Sequence, residues 1–119
     1  MEIALRNEIS TYSGGLGVLA GDTIRAAADL ELPLVAVSLV SRNGYFRQEL
    51  DAKGRQVERA DTWEPARWTT PLEAKVTVPI EGRKVWVGGW LYVLEGHMGG
   101  KQPVILLDTD LPENNAADR

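Results

Sequence analysis

Four glycines fall in the eight residues 14–21 of TYSGGLGVLAGD (residues 11–22), and a helical apolar spacing follows at once. Glycine costs folding entropy, so a cluster of it needs a reason that only bare backbone satisfies. Backbone N–H groups at a helix start, aided by the helix dipole, can hold an anion such as a phosphate. Read literally, Gly15-Leu16-Gly17-Val18-Leu19-Ala20 matches the G-x-G-x-x-A dinucleotide fingerprint. Two features count against that match. The polar stretch RNEISTYS separates Leu5 from the glycines, where a strand should lead in directly. The second strand then ends in Ser41-Arg42 rather than the acid that would take a ribose. Arg42 suits a 2′-phosphate, which keeps a dinucleotide site as a lesser alternative. The glycines also fit a purely structural role, close packing of helix on strand.

Other reactive residue types carry weaker signals. Asp108 and Asp110 end an apolar run, where ligands gather in α/β sheets, but no third metal ligand stands near and turn-forming is the stronger reading. His97 sits in the glycine-flanked turn EGHMGGK and reads as an exposed loop residue. Trp86, Trp90 and Tyr92 have flat rings able to stack on a sugar, yet their strand spacing favours packing. Trp63 and Trp68 lie in an irregular segment and fit a core less readily than an interface. Ser13 has no evident histidine–acid partnership, so a serine nucleophile is not expected. Tyr45, Phe46 and Arg47 suggest no chemistry by themselves.

The elements that would position these groups follow from periodicity. Ile3–Leu5 reads as a short strand or the tail of one. Apolar residues at 16, 19, 20, 24, 27, 28 and 30 give an amphipathic helix that ends before Pro33, with Arg25 and Asp29 spaced to pair on its surface. LVAVSLV (34–40) has the near-continuous apolar character of a strand buried on both faces of a parallel sheet. Strand, loop, helix and strand make a βαβ unit. GYFRQEL (44–50) alternates and runs into the turn signal DAKGR. Residues 58–72 read as an irregular connection. Residues 74–94 read as a hairpin turning at Glu81-Gly82, with Pro79 consigning its strand to an edge or bulge. PVILLDTD (103–110) is a returning buried strand.

The bulk numbers narrow the classes. At 119 residues the chain forms at most one domain. Its net charge of −4 without a basic cluster argues against nucleic acid or an anionic membrane as partner. No cysteine is present, which excludes disulfides and thiolate metal sites. Neither a signal peptide nor a membrane-length apolar run is visible, so a cytoplasmic location is expected.

Residues 8–50, EISTYSGGLGVLAGDTIRAAADLELPLVAVSLVSRNGYFRQEL, resemble the amino-terminal region of bacterial and archaeal α-glucan (glycogen/maltodextrin) phosphorylases. VILLDTDLPENNAADR resembles the strand and loop that follow the β-excursion there. Glycogen and starch synthases share a G-G-L loop but place a lysine two residues before its first glycine. Tyr12 stands in that place here. The resemblance implies an α/β chain: a partial Rossmann-like domain of GT-B type with a β-rich antiparallel excursion, incomplete over 1–119. It divides into a βαβ unit (1–42), an insert (43–102) and a returning strand with its loop (103–119). It further implies a glycosyltransferase with two domains facing a cleft. A lysine of the second domain would carry pyridoxal phosphate, whose phosphate serves as acid–base partner to inorganic phosphate as α-glucose 1-phosphate leaves a glucan. By motif match, Gly14, Gly15 and Leu16 would lie against that phosphate and the transferred glucose. Catalytic, cofactor and metal residues are not expected within these residues, and Lys53, Lys75, Lys84 and Lys101 stand in no matching context. Family members carry residues before the position of Met1. The chain alone is expected to be inert, to need the remainder of a phosphorylase and to be compatible with a homo-oligomer. A glucan-binding or vestigial module is the alternative.

Overall fold

The computed structural model describes residues 2–119. One helix, α1 (Gly15–Asp29), packs on a sheet built from β1 (Ala36–Leu39), β7 (Lys101–Asp108), β6 (Arg83–Glu95) and β4 (Thr70–Pro71), in that order. Two further elements hang from this frame: β5 (Val76–Ile80), paired to β6, and a separate hairpin of β2 (Arg47–Leu50) and β3 (Gln56–Arg59). The architecture is therefore α/β with a mixed sheet, since β1 runs parallel to β7 while β6 runs antiparallel to it.

The core lies between α1 and one sheet face, where Ile24 and Ala28 meet Leu94, Val104 and Leu106. The apolar stripe of α1 is narrower than its periodicity suggests. Gly17, Gly21, Ile24, Ala27 and Ala28 are buried, whereas Leu16 and Leu19 are 73% and 64% exposed. Buried Gln102 anchors the far end of the helix by donating to the carbonyls of Ala27 and Leu32.

Residues 3–5 do not form the expected strand. They are buried, but their polar groups are spent on other partners. The Ala4 N–H donates to the Gly17 carbonyl (2.9 Å), Arg25 donates to the Leu5 carbonyl (2.7 Å), and the Thr11 hydroxyl donates to the Ile3 carbonyl (3.0 Å). Arg25 also pairs with Asp22, not with Asp29, whose carboxylate accepts from the Met98 N–H instead.

Strand β1 forms where the apolar run predicts, but it is covered on one face only. Ala36 packs against the core, while Val37 and Leu39 are 56% and 70% exposed. The β5–β6 hairpin turns at Glu81 and Gly82, both with positive φ (48° and 77°), as a type I′ turn requires. Pro79 sits on β5, which pairs with β6 alone, so its missing N–H costs no ladder bond. Between residues 58 and 72 the connection contains the end of β3, a 3-10 turn at Pro65–Arg67 and the two-residue β4. Trp63 departs from the expected interface role. It is buried in the core and its indole N–H donates to the Ser41 carbonyl (2.5 Å).

Candidate functional site

The four glycines of the loop serve different ends. A Cβ on Gly17 would fall 2.6 Å from the Tyr12 Cβ, and one on Gly21 would collide with the Ala4 carbonyl oxygen. Those two exist so that the incoming chain can lie against the helix. Gly14 has φ +95°, a conformation few side chains accept, and precedes the helix without a side-chain cap. Gly15 is different again. It stands in the helix without a positive φ, and a Cβ on it would meet nothing within 4 Å. Neither backbone conformation nor packing within the chain accounts for a glycine there.

The loop opens toward the carboxyl end of β1. Tyr12 and Ser13 share a cavity of about 290 Å³ with Glu2, Ser10, Ser41, Asn43, Gly44 and Tyr45. The Ser13 N–H donates to the Glu2 carboxylate (3.0 Å), so an acid already stands at the approach to the glycines. On the facing side Gly44 permits the contact, because a Cβ there would press within 2.6 Å of the Ser10 Cβ. Gly14, Gly15 and Leu16, which follow Ser13, are all exposed, so a molecule in solution can reach them.

A second cleft, about 610 Å³, lies where β1 and β7 end. Arg42 fans onto three acids there: Asp108 (2.6 Å), Asp110 (3.4 Å) and Glu64 (3.9 Å). Asp108 is buried and also accepts from the Trp90 indole (2.8 Å) and from the Asp110 N–H (2.9 Å). Arg119 closes the network on Asp110 (2.8 Å). The two aspartates thus form a turn and an ion-pair network. Among the described residues no group of side chains is placed to hold a metal. Arg42 is engaged with carboxylates rather than offered to a 2′-phosphate.

The remaining candidates separate from this region. His97 is exposed in the turn between β6 and β7, far along the sheet from the glycine loop. Trp90 and Tyr92 pack against the core. Trp86 lies under the Lys84 ammonium (4.7 Å), and Trp68 under the Arg6 guanidinium (3.8 Å). Ser13 is exposed and its N–H is bound by Glu2. Tyr45 and Phe46 stack at 4.6 Å beside the glycine-loop cavity, a placement their sequence did not suggest. Two further residues escaped the sequence reading. Glu2 lies 11 positions from the backbone it binds. Asn114 donates to the carbonyls of Trp86 and Thr109, which folds the last residues back onto β6.

Lys75 and Lys101 are paired with Glu113 and Glu95, Lys84 covers Trp86, and Lys53 sits exposed at the β2–β3 turn.

Comparison with known proteins supplies the relationship. The chain is 38% identical to a maltodextrin phosphorylase of Thermococcus litoralis and 38% identical to a glycogen phosphorylase of Mycobacterium tuberculosis, each match using 100% of the chain. The whole chain matches maltodextrin and glycogen phosphorylases. A glycogen phosphorylase of Aquifex aeolicus is 30% identical over 99% of the chain. The chain spans only about 15% of the length of the first two phosphorylases and 17% of the third, consistent with an amino-terminal segment of a phosphorylase. No family model matches it. No helix among the described residues is long and apolar enough to cross a membrane.

Proposed function

We propose that this chain is one part of an α-glucan phosphorylase, and that its glycine loop supplies backbone donors to the phosphate and glucosyl groups of the reaction. Gly15 carries the reading. Gly15 is the first residue of α1, where glycine costs up to about 1 kcal/mol against alanine, and nothing inside the chain requires it at this position. A ligand approaching the backbone would. The N–H groups at the start of α1 offer donors and a partial positive charge to an anion, and stabilising developing charge is the largest contribution such donors make. The Glu2 carboxylate already accepts the Ser13 N–H, so the donors left for an anion are those of the residues that follow.

In the whole enzyme, pyridoxal phosphate would supply the acid–base phosphate that works with inorganic phosphate on the glucan. Its lysine would come from elsewhere in the polypeptide: Lys75 and Lys101 are paired with carboxylates, Lys84 covers Trp86, and Lys53 stands at the β2–β3 turn. The chain on its own is accordingly proposed to be inactive, with the remainder of a phosphorylase, a glucan, inorganic phosphate and glucose 1-phosphate as its partners. Membership of a homo-oligomer and a cytoplasmic site of action complete the proposal.

The test replaces the matching stretch of the Thermococcus litoralis maltodextrin phosphorylase with these residues and follows glucose 1-phosphate release from maltodextrin and phosphate. Gly15→Ala in that chimera should cut turnover at least about tenfold, a loss of about 1.4 kcal/mol in transition-state stabilisation. Full turnover in the variant would return Gly15 to the status of an ordinary helix residue.

A further inference from the structure

Tyr45 is 78% exposed, yet the backbone that leads to it is pinned. The Gly44 N–H donates to the Asp61 carbonyl (2.6 Å), the Trp63 N–H to the Arg42 carbonyl (3.0 Å), and the Trp63 indole to the Ser41 carbonyl. Half-buried Phe46 leans on the Tyr45 ring, centroids 4.6 Å apart and planes 37° from parallel. A tyrosine held in this way presents an apolar ring with a polar tip, and it gives up little entropy when something stacks on it.

Two cavities of about 290 Å³ each meet at this ring, for Ser10, Tyr12, Ser13 and Tyr45 line both. One extends to Glu2 and Asn43, the other to Asn7, Phe46 and Asp61. Each is close to the lower end of small-molecule cavities, roughly 300 Å³, a size that suits a single ring. Among the described residues no basic side chain lines either one, while each holds a carboxylate. Glu2 accepts the Ser13 N–H, and Asp61 stands 3.8 Å from Arg47. An anion is repelled by such a lining; a neutral ligand rich in hydroxyls is not. Carboxylates accept from hydroxyls and an amide both donates and accepts, so Asp61 and Asn7 match the rim of a pyranose. The apolar C–H face of the same sugar matches the Tyr45 ring.

We propose that Tyr45 is the stacking platform of a subsite for neutral glucan, seating a glucosyl unit beside Ser13, where the glycine loop begins. The identity of the sugar rests on the phosphorylase reading above; the platform itself rests on the exposed, pinned ring and the acid-lined cavities that meet at it. The anion and the glucan are thereby kept apart, the first at the helix start and the second over the tyrosine.

The experiment uses the Thermococcus litoralis chimera. Tyr45→Ala should raise the KM for maltodextrin at least about fivefold and leave kcat within about twofold, the split expected of a group that binds glucan away from the reacting bond. Tyr45→Phe keeps the ring and should keep the parent KM. Calorimetry with maltoheptaose, phosphate omitted, should show the same loss of affinity in Tyr45→Ala whether or not the chimera turns over. An unchanged KM and affinity in Tyr45→Ala would overturn the proposal. So would an equal rise in the KM for phosphate, which would put the effect in the glycine loop, or a Tyr45→Phe variant that fails as Tyr45→Ala does. Weakened maltoheptaose binding without any turnover would sink the phosphorylase reading and leave the subsite in place; full turnover with Tyr45→Ala indistinguishable from the parent would do the reverse.

Discussion

Glycines at neighbouring positions do unrelated work, and substitution separates them. Gly21→Ala should destabilise the chain by about 2 kcal/mol, because the added methyl meets the backbone of Ala4 rather than a side chain that can yield. Gly15→Ala should instead stabilise the chain by up to about 1 kcal/mol, since helix propensity favours alanine and the space is open. Denaturant titration of both variants checks the pair, and equal destabilisation would remove the distinction. Asp108→Asn keeps the size but strips the charge that Arg42 and the Trp90 indole share. It should cost about 2 kcal/mol and loosen residues 109–119. A variant that melts like the parent would show that the cluster holds nothing together. At this scale the sequence was informative about which glycines cluster, and silent about which were packed. The distinction depends on Tyr12 and Ala4, whose approach is a tertiary fact.

Among the elements, the turns were the most legible. Asp51 opens the β2–β3 turn by accepting from the Arg55 N–H (2.9 Å) and the Lys53 N–H (2.8 Å), the short-range pattern that aspartate favours. These donors hold the Asp51 carboxyl below its usual 3.8, the Arg55 backbone first among them. Glu8, Glu113 and Asp118 are lowered in the same sense, each chiefly by a hydrogen bond from its side-chain partner: Arg6, Lys75 and Arg83 respectively. A carboxyl with a lowered folded pKa adds stability above its unfolded value and surrenders it as pH falls through the folded value. The melting temperature should therefore be flat through neutral pH and decline below the ordinary values of 3.8 and 4.5. Raised salt should blunt that decline chiefly through Glu8 and Glu113, which are exposed and screened, and less through the half-buried Asp51 and Asp118. A melting temperature that rises on acidification would contradict the assignment. The Ile3–Leu5 segment was misread because an apolar triplet looks the same whether its backbone meets a strand or the Gly17 carbonyl.

For the whole molecule, one face of the parallel pair decides the behaviour. Val37 and Leu39 stand opposite Ile105 and Leu107 in register, on the face away from α1. The chain alone should therefore bind a dye that fluoresces on apolar surface, and the Val37→Lys, Leu39→Lys variant should bind less of it. Equal fluorescence from the two proteins would move the apolar surface elsewhere. What the sequence by itself determined is the local part: the helix after the glycines, the β5–β6 hairpin with its Glu81-Gly82 turn, and the apolar runs that became β1 and β7. These follow from periodicity and turn chemistry, which act over a few residues. Only the tertiary structure decided that β1 lies beside β7, 66 residues separating Arg42 from Asp108. It alone left Gly15 open while enclosing Gly17 and Gly21. Such pairings are set by which surfaces meet when the chain closes, and no local pattern encodes that meeting.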